Sequence, residues 1–294
     1  MMRDKGGMSV DFAFRFRRLS LLSKVALVLG YVMLIVVAAT CLIPLIWMIA
    51  TSFKEYSKVF IYPPEFIPNP VTLESYIKLF TVVPFLNYLI NTIFIATTVT
   101  VSQVLFSSLA AYSFARLEWR GRDVIFLAYL GTMMIPSQVT LISQYVIISR
   151  FRMVDTYAAL IVPVMFGSAF GTFLLRQFFM TLPKDLEDAA RIDGCGKLRI
   201  YGQIIIPLSK PAVVTLAIFV FLWQWNDMMW PMIVINSMYR RPLALGITML
   251  AESRYSTDWA VLMAGATVCV GPVIVLYMSA QRFFIEGIAM TGMK

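Results

Sequence analysis

The sequence predicts an all-α integral membrane protein with six transmembrane helices, and two observations lead to this fold class. Hydrophobic residues make up 60% of the 294 residues and charged residues only 14%, whereas soluble domains average about 45–50% and about 25%. The charges are also clustered, so that they leave six nearly uncharged runs of the length that a helix needs to cross a bilayer, about 20 residues. An ordinary soluble domain is excluded.

The first run, residues 25–49, follows a basic segment and resembles a signal peptide. It is longer than the 7–15 residues or so of a signal-peptide hydrophobic region, so we expect an uncleaved helix. The other predicted spans are residues 85–114, 124–149, 156–175, 211–237 and 260–281.

The segments between and around the spans complete the predicted organisation. Residues 1–24 and 285–294 are expected to be an N-terminal segment and a tail, and the proline-rich residues 50–84 a loop of short turns on the opposite side. Residues 85–284 are expected to form the transmembrane core, which includes a loop at 181–210.

Basic residues set the predicted orientation. An even number of spans returns the chain to the side on which it began, and that side carries 17 of the 25 Lys and Arg residues, against 8 on the other. Cytoplasmic segments are the ones enriched in Lys and Arg. Both termini and the 181–210 loop are therefore expected to be cytoplasmic, residues 50–84 extracytoplasmic, and the net charge of +9 a topology signal that does not indicate nucleic-acid binding.

Composition also removes several kinds of chemistry. The chain has no histidine, which excludes a Ser-His-Asp triad and His-ligated metals. Cys41, Cys195 and Cys269 are far apart in sequence and are expected to be small apolar residues in packing, so no metal site is predicted. A membrane-embedded enzyme would require clustered catalytic acids or a metal set, and the sequence offers neither.

The 181–210 loop is longer than two neighbouring helices need. Acidic residues after Pro183 suit a helix N-terminus, and helical spacing places four small or apolar residues on one face: Leu182, Leu186, Ala189 and Ala190. Gly194 fits the residue that ends such a helix with positive φ. A second amphipathic segment then runs to Pro207, so the loop is predicted to be helix, glycine corner, helix.

Several motifs resemble those of one known family. They are Glu187 to Gly194 (EDAARIDG) with Pro207-Leu208 and Lys210-Pro211 downstream, Met134-Ile135-Pro136, Trp225-Asn226-Asp227, Arg241-Pro242-Leu243 before Gly246, and Gln281-Arg282-Phe283-Phe284 with Gly287. Together they resemble permease subunits of binding-protein-dependent carbohydrate ABC importers of the maltose and multiple-sugar type, specifically the shorter, six-helix partner. Asp188 stands where that family usually has Glu, and Cys195 where it often has Ala.

The resemblance implies a type I importer permease fold in a bacterial inner membrane. It implies that the loop couples the permease to ATP hydrolysis through Glu187, Asp188, Ala189, Ala190, Asp193 and Gly194. The implied partners are a second homologous permease subunit, two ABC ATPase subunits that bind ATP-Mg, an extracytoplasmic solute-binding protein and a carbohydrate substrate. The chain has no P-loop of its own, since Gly196-Lys197-Leu198 lacks the required Ser or Thr, so we expect a non-catalytic subunit without a cofactor.

Other interpretations of these segments stay open. The 181–210 loop could instead be an amphipathic hairpin on the membrane surface. Asp227 is the one charge in a predicted span; with Gln224 and Asn226 it could line the translocation path, or it could lie near the water interface. Four polar residues, expected to form hydrogen bonds between helices, are Asn87, Asn91, Gln103 and Gln138. A secondary transporter or channel for a small polar solute is the alternative function.

Overall fold

A computed structural model of the chain describes residues 21–251 and 258–291, and every regular element in those ranges is helical. The helices are α1 (Leu21–Ser52), α2 (Glu74–Val82), α3 (Phe85–Arg116), α4 (Arg122–Gly131), α5 (Ser137–Arg150), α6 (Tyr157–Ile161), α7 (Ala169–Thr181), α8 (Asp185–Ile192), α9 (Lys197–Leu208), α10 (Lys210–Asn226), α11 (Met229–Val234), α12 (Leu243–Ala251) and α13 (Trp259–Thr291). Most of the predicted N-terminal segment and the last three residues of the predicted tail lie outside these ranges.

Three of the predicted spans are long single helices. Helices α1, α3 and α13 are each long and apolar enough to cross a membrane, and they contain the predicted runs 25–49, 85–114 and 260–281. Among the described residues, the number of possible spans is three, or up to five if each sharply bent pair of helices counts as one.

The run 124–149, predicted to be one helix, is broken into two. The segment ending at Met134 and helix α5 meet at an angle of 97°. The break falls at Pro136, which has no amide hydrogen to continue a helix and favours extended backbone in the residue before it. Ile135 is indeed extended, with φ −84° and ψ 116°.

The runs 156–175 and 211–237 are also interrupted. In the first, α6 is only five residues long, and α7 begins after Gly167, whose φ of 97° suits glycine. The Ser168 hydroxyl oxygen then accepts a hydrogen bond from the Gly171 amide at 3.0 Å, which caps the new helix. In the second, α10 ends at Asn226 and the short α11 follows.

The segment 50–84 was expected to contain only short turns, but it contains the nine-residue helix α2. This helix packs against α13, and the hydroxyl groups of Ser52 and Tyr76 share a hydrogen bond at 2.9 Å that joins it to the end of α1. Four prolines of the segment lie at residues 63–70, before this helix, and so do not interrupt it.

Helix α3 lies at the centre of the packing. It packs against α7 and α10, whereas α13 packs against α1, α2 and α10. Glycines allow the close approach of α3 and α7, because a Cβ atom at Gly171 would lie 2.9 Å from the Ser107 hydroxyl oxygen. One apolar cluster joins α3, α7, α9 and α10, and a second joins α2, α3, α10, α12 and α13.

Candidate coupling and translocation sites

The hairpin formed by residues 181–210 has the predicted helix, corner, helix arrangement. Helix α8 carries Asp185, Glu187 and Asp188 in its first turn, where negative charge is favoured. It ends at Ile192, two residues before the corner residue Gly194, whose φ is 78°. The amide of Gly194 donates to the Arg191 carbonyl at 3.0 Å and that of Cys195 to the Ala190 carbonyl at 2.9 Å, the two hydrogen bonds of a Schellman motif. The predicted glycine corner is confirmed.

The predicted apolar face of the first arm is wrong in detail. Ala190 is buried and Leu182 half-buried, whereas Leu186 and Ala189 are exposed. The buried side of α8 is formed by Glu187 and Ala190, which are three residues apart and so share a face. Only one alanine of the pair, Ala189, is therefore available to another protein.

Glu187 is held inside the protein by Arg116, the last residue of α3. Arg116 Nε lies 3.0 Å from Glu187 Oε1 in an ion pair, and the two side chains are 3% and 4% exposed. These two atoms do not meet the geometry of a hydrogen bond, so their contact is an ion pair alone. On the outer side, Arg191 contacts Glu187 Oε2 at 3.7 Å and Asp188 Oδ1 at 3.0 Å.

The second arm of the hairpin also fastens to α3. Ile200 and Ile205 of α9 are buried in the cluster that contains Tyr112. The hydroxyl groups of Tyr201 and Ser108 lie 2.7 Å apart and share a hydrogen bond, and the rings of Tyr201 and Tyr112 are 5.5 Å apart. Tyr201 begins a π-helical turn within α9.

The outward surface of the hairpin combines apolar and charged groups. Ile192 is 87% exposed, Leu198 75% and Leu186 44%, and Ala189, Asp188, Asp193 and Gly194 are exposed with them. Both arms pack against α3 on their inner sides. Apolar side chains that are this exposed on the outer side are typical of a protein interaction surface.

The proposed translocation residues lie at the end of α10. A cavity of about 550 Å³ is lined by Asn226 and Asp227 together with Phe219, Leu222, Trp223, Met228 and Met229. Gln224 does not line it. Asp227 Oδ1 accepts a hydrogen bond from the Trp230 amide at 3.4 Å, so the carboxylate also caps the turn that begins α11.

Asn91 holds the backbone around the start of α12. Its Nδ2 donates to the carbonyl oxygens of Tyr239 and Arg241 at 2.8 and 3.1 Å, and its Oδ1 accepts from the Tyr157 hydroxyl at 2.8 Å. The prediction of a structural hydrogen-bonding role is confirmed for this residue. Among the other three residues in that prediction, Asn87 and Gln138 are exposed and Gln103 is buried.

Asp155 organises a second connection at the same end of α3. Its φ is 62°, and its carboxylate accepts hydrogen bonds from the Ser237 hydroxyl and from the amides of Ser237 and Asn236, the amides at 2.8 and 3.0 Å. Arg240 lies 3.2 Å away. The Ser237 side chain and amide, then the Asn236 amide and the Arg240 charge, lower the pKa of Asp155 below its ordinary value of 3.8 despite partial burial.

Comparison with known proteins identifies the architecture. Residues 12–289 match the family described as "Binding-protein-dependent transport system inner membrane component". The chain belongs to this family. It is therefore a permease, the membrane component of such a system and not its catalytic component.

Curated relatives of the permease share about a third of its residues. It is 32% identical over 263 residues to an arabinooligosaccharide transport system permease protein of Halalkalibacterium halodurans, covering 88% of this chain and 93% of that one. It is also 32% identical over 286 residues to a trehalose/maltose transport system permease protein of Thermococcus litoralis, covering 94% and 99%. A Salmonella choleraesuis sn-glycerol-3-phosphate transport system permease protein is 32% identical over 269 residues, covering 89% and 95%.

Solved structures share the fold of the permease. A chain of a bacterial ABC transporter involved in the import of the acidic polysaccharide alginate matches with a TM-score of 0.83 at 22% identity, covering 90% of this chain and 99% of that one. A chain of the alginate transporter in complex with its alginate pentasaccharide-bound periplasmic protein matches with a TM-score of 0.64 at 13% identity, covering 86% and 92%.

Sequence reasoning missed Arg116 in the permease. The residue follows the uncharged tract that ends at Ala115, so it was counted only as a positive charge that sets topology. Its buried partner Glu187 was assigned to the outward coupling surface. The helical spacing of Glu187 and Ala190 could have revealed a shared buried face, but no local pattern pairs residues that are 71 positions apart.

Proposed function

We propose that this chain is the permease subunit of an ATP-driven importer that carries a carbohydrate into the cytoplasm by alternating access. The observation that carries the proposal is the 181–210 hairpin, with an exposed apolar face and a second face fixed to α3. Such an element can transmit a force, because its inner side is packed and its corner is held by hydrogen bonds. Rotation of packed helices as rigid bodies is an established form of such a transition.

The proposed partners follow from this arrangement. Leu186, Ala189, Ile192, Asp193 and Leu198 would dock into a cleft of an ABC ATPase subunit, of which the complex would contain two, each binding ATP-Mg. A second homologous permease would complete the membrane assembly, and an extracytoplasmic binding protein would deliver the solute. Asp188 and Gly194 remain proposed coupling residues, whereas the burial of Glu187 supports a role behind the docking surface.

The proposed topology has six crossings of a bacterial inner membrane and cytoplasmic termini. The long helices α1, α3 and α13 supply three crossings, and α10 a fourth. The bent pair α4 and α5 and the broken pair α6 and α7 would supply the remaining two, with their interruptions buried against other helices or facing water. The excess of Lys and Arg on the hairpin side supports this orientation.

The solute class rests on the relatives and on the cavity beside Asp227. The relatives' names describe arabinooligosaccharide, trehalose/maltose and sn-glycerol-3-phosphate systems, all for polyhydroxylated solutes. Trp223, Asn226 and Asp227 offer an aromatic face and polar groups beside the cavity. These groups suit sugar hydroxyls, and we assign this cavity to the translocation path.

The direct test is reconstitution of the chain with the products of neighbouring transporter genes. The binding protein is first screened by thermal shift against mono-, di- and oligosaccharides and glycerol phosphate. Proteoliposomes with the complete complex are then loaded with ATP and given the labelled hit and its binding protein. Import that requires both ATP and the binding protein supports the proposal, and import by this chain alone, driven by an ion gradient, contradicts it.

A further inference from the structure

Arg116 belongs to α3, yet its side chain contacts three groups outside that helix. Besides the ion pair with Glu187, its Nη2 donates hydrogen bonds to the carbonyl oxygens of Phe179 and Leu182 at 2.5 and 2.6 Å. These carbonyls lie at the end of α7, where the last carbonyls of a helix have no partner within it. One buried guanidinium therefore joins three elements: α3, the end of α7 and α8.

A reciprocal contact strengthens the same junction. Arg176 of α7 donates through Nε to the Phe114 carbonyl of α3 at 3.2 Å. Its guanidinium also lies 4.1 Å from the centre of the Phe126 ring of α4. Each of the two parallel helices thus supplies an arginine to the carbonyls at the end of the other.

The 181–210 hairpin is not joined to α3 directly by the polypeptide chain. The 181–210 hairpin continues directly from α7 and into α10, so a pull on it reaches those two helices through covalent bonds. Helix α3 is separate in sequence, and Arg116 links it to the first arm through the ion pair with Glu187 and the hydrogen bond to the Leu182 carbonyl. Breaking a buried ion pair on one side leaves a buried charge without a partner, which is strongly unfavourable.

Helix α3 also reaches the opposite end of the molecule. Its 32 residues extend about 48 Å at 1.5 Å per residue. Near its first residue, Asn91 holds the carbonyls of Tyr239 and Arg241, and the Thr92 hydroxyl oxygen accepts from the Leu243 amide at 2.7 Å. A displacement of α3 at Arg116 would therefore reach the backbone that leads into α12.

We propose that Arg116 is a positioning residue for energy coupling. Through Glu187 it makes α8 and α3 move as one rigid body, so that motion of the hairpin reaches α3 as well as α7 and α10. The inference rests on the proposed function, since it requires an ATPase to move the hairpin. Tyr201 and Ser108 support the same attachment from the second arm.

The test measures how many ATP molecules are hydrolysed for each solute imported, in proteoliposomes that contain the complete complex. Arg116→Gln removes the cation that contacts Glu187 Oε1 and leaves only Arg191 at 3.7 Å from Glu187 Oε2, so the first arm should move without carrying α3. We expect import to fall while ATP hydrolysis continues, and the ratio to rise roughly tenfold, because the cost of breaking a buried pair exceeds that of a tenfold change in an equilibrium. A residue needed only for folding would lower both rates together, and an unchanged ratio would overturn the proposal.

Two further variants sharpen the result. Arg120→Gln removes the same charge from an exposed position nearby and should keep the wild-type ratio; if its ratio rises as much as that of Arg116→Gln, the effect is one of net charge and the proposal is wrong. Arg116→Lys keeps the charge but cannot reproduce the fork of contacts, so its ratio should rise by a smaller factor. A wild-type ratio for this variant contradicts the proposal even if Arg116→Gln cannot be purified.

The double variant Arg116→Gln, Glu187→Gln tests whether the two residues act through each other. Its ratio should match that of the more impaired single variant, because both substitutions remove one interaction. If the increases in the two single variants multiply in the double variant, the two residues act independently and the pairing is wrong. If the wild-type complex shows no ATP-dependent import at all, the proposed function fails and this inference fails with it. If the wild-type complex imports and the variants keep its ratio, only this inference fails.

Discussion

The amide of Cys195 donates a hydrogen bond to the carbonyl oxygen of Ala190 across 2.9 Å, closing the corner between α8 and α9. This bond forms only when the chain reverses at Gly194 with positive φ, which is 78° here. A Cβ atom at Gly194 would meet no heavy atom within 4 Å. The glycine is therefore required by backbone conformation and not by space.

Gly194→Val should distort the corner and abolish coupled import. A side chain in the left-handed region costs about 1–2 kcal/mol, and a β-branched one fits worst. Gly196→Val is the matched control, because Gly196 is equally open and its φ is −72° with ψ 160°, a conformation that valine readily adopts. Stimulation of ATPase activity by the loaded binding protein is measured; equal stimulation in both variants would refute the conformational argument.

The two neighbouring alanines should separate docking from folding. Ala190 is 7% exposed, so Ala190→Glu would bury a carboxylate beside Glu187 at a cost of roughly 3 kcal/mol or more and reduce the amount of folded permease. Ala189→Glu should leave the fold intact and prevent retention of the ATPase subunits, because Ala189 faces outward. Size-exclusion chromatography measures folding and co-purification measures retention of the ATPase subunits. If Ala189→Glu impairs folding and Ala190→Glu impairs only retention, then Ala190 and not Ala189 faces outward and the assignment is wrong.

Much of this molecule follows from local sequence rules, and the remainder depends on distant contacts. Composition and run length predict α1, α3 and α13, and the spacing from Pro183 to Gly194 predicts the corner geometry. Pro136 is a local signal for the break before α5, but the span was predicted from the length of the uncharged run alone. A hydropathy run records only that a segment is apolar, and it does not say whether the backbone continues through it.

The site was predictable to the same extent. The motif around Asp193 and Gly194 places the hairpin, but which side of α8 faces inward depends on Arg116, far away in sequence. Asn226 and Asp227 line the cavity and Gln224 does not, although all three lie within four residues of one another. Long-range pairing of side chains is thus the part that one sequence does not contain.

Gly246 is needed for packing, because a Cβ atom there would lie 2.2 Å from Cδ2 of Tyr88. Tyr88 is 1% exposed, so its ring cannot move aside without displacing α12. Gly246→Ala should lower the free energy of unfolding by about 1–3 kcal/mol, as overpacking does. In the control, Gly265→Ala, the new methyl group would meet Leu79 at 3.4 Å, so little change is expected. Thermal unfolding in detergent measures both, and an equal change in the two variants would contradict the overpacking argument.

Asp155 should make the connection between α6 and the segment before α12 sensitive to acid. Its pKa is lowered in the folded protein, so the folded state favours the charged form. The resulting stabilisation is complete above the ordinary pKa of 3.8 and is lost as the pH falls through the lower folded-state pKa. Asp155→Asn should therefore be less stable than wild type at pH 7, and the difference should shrink in strong acid.

Ser237→Ala keeps the Asp155 carboxylate but removes its hydroxyl donor, so it should show the same trend with a smaller amplitude. The measurement is the difference in unfolding temperature between each variant and wild type from pH 7 to pH 3, which cancels the titration of other carboxylates. A difference for Asp155→Asn that stays constant over this range, or that grows in acid, would mean that the Asp155 charge does not hold the Ser237 segment.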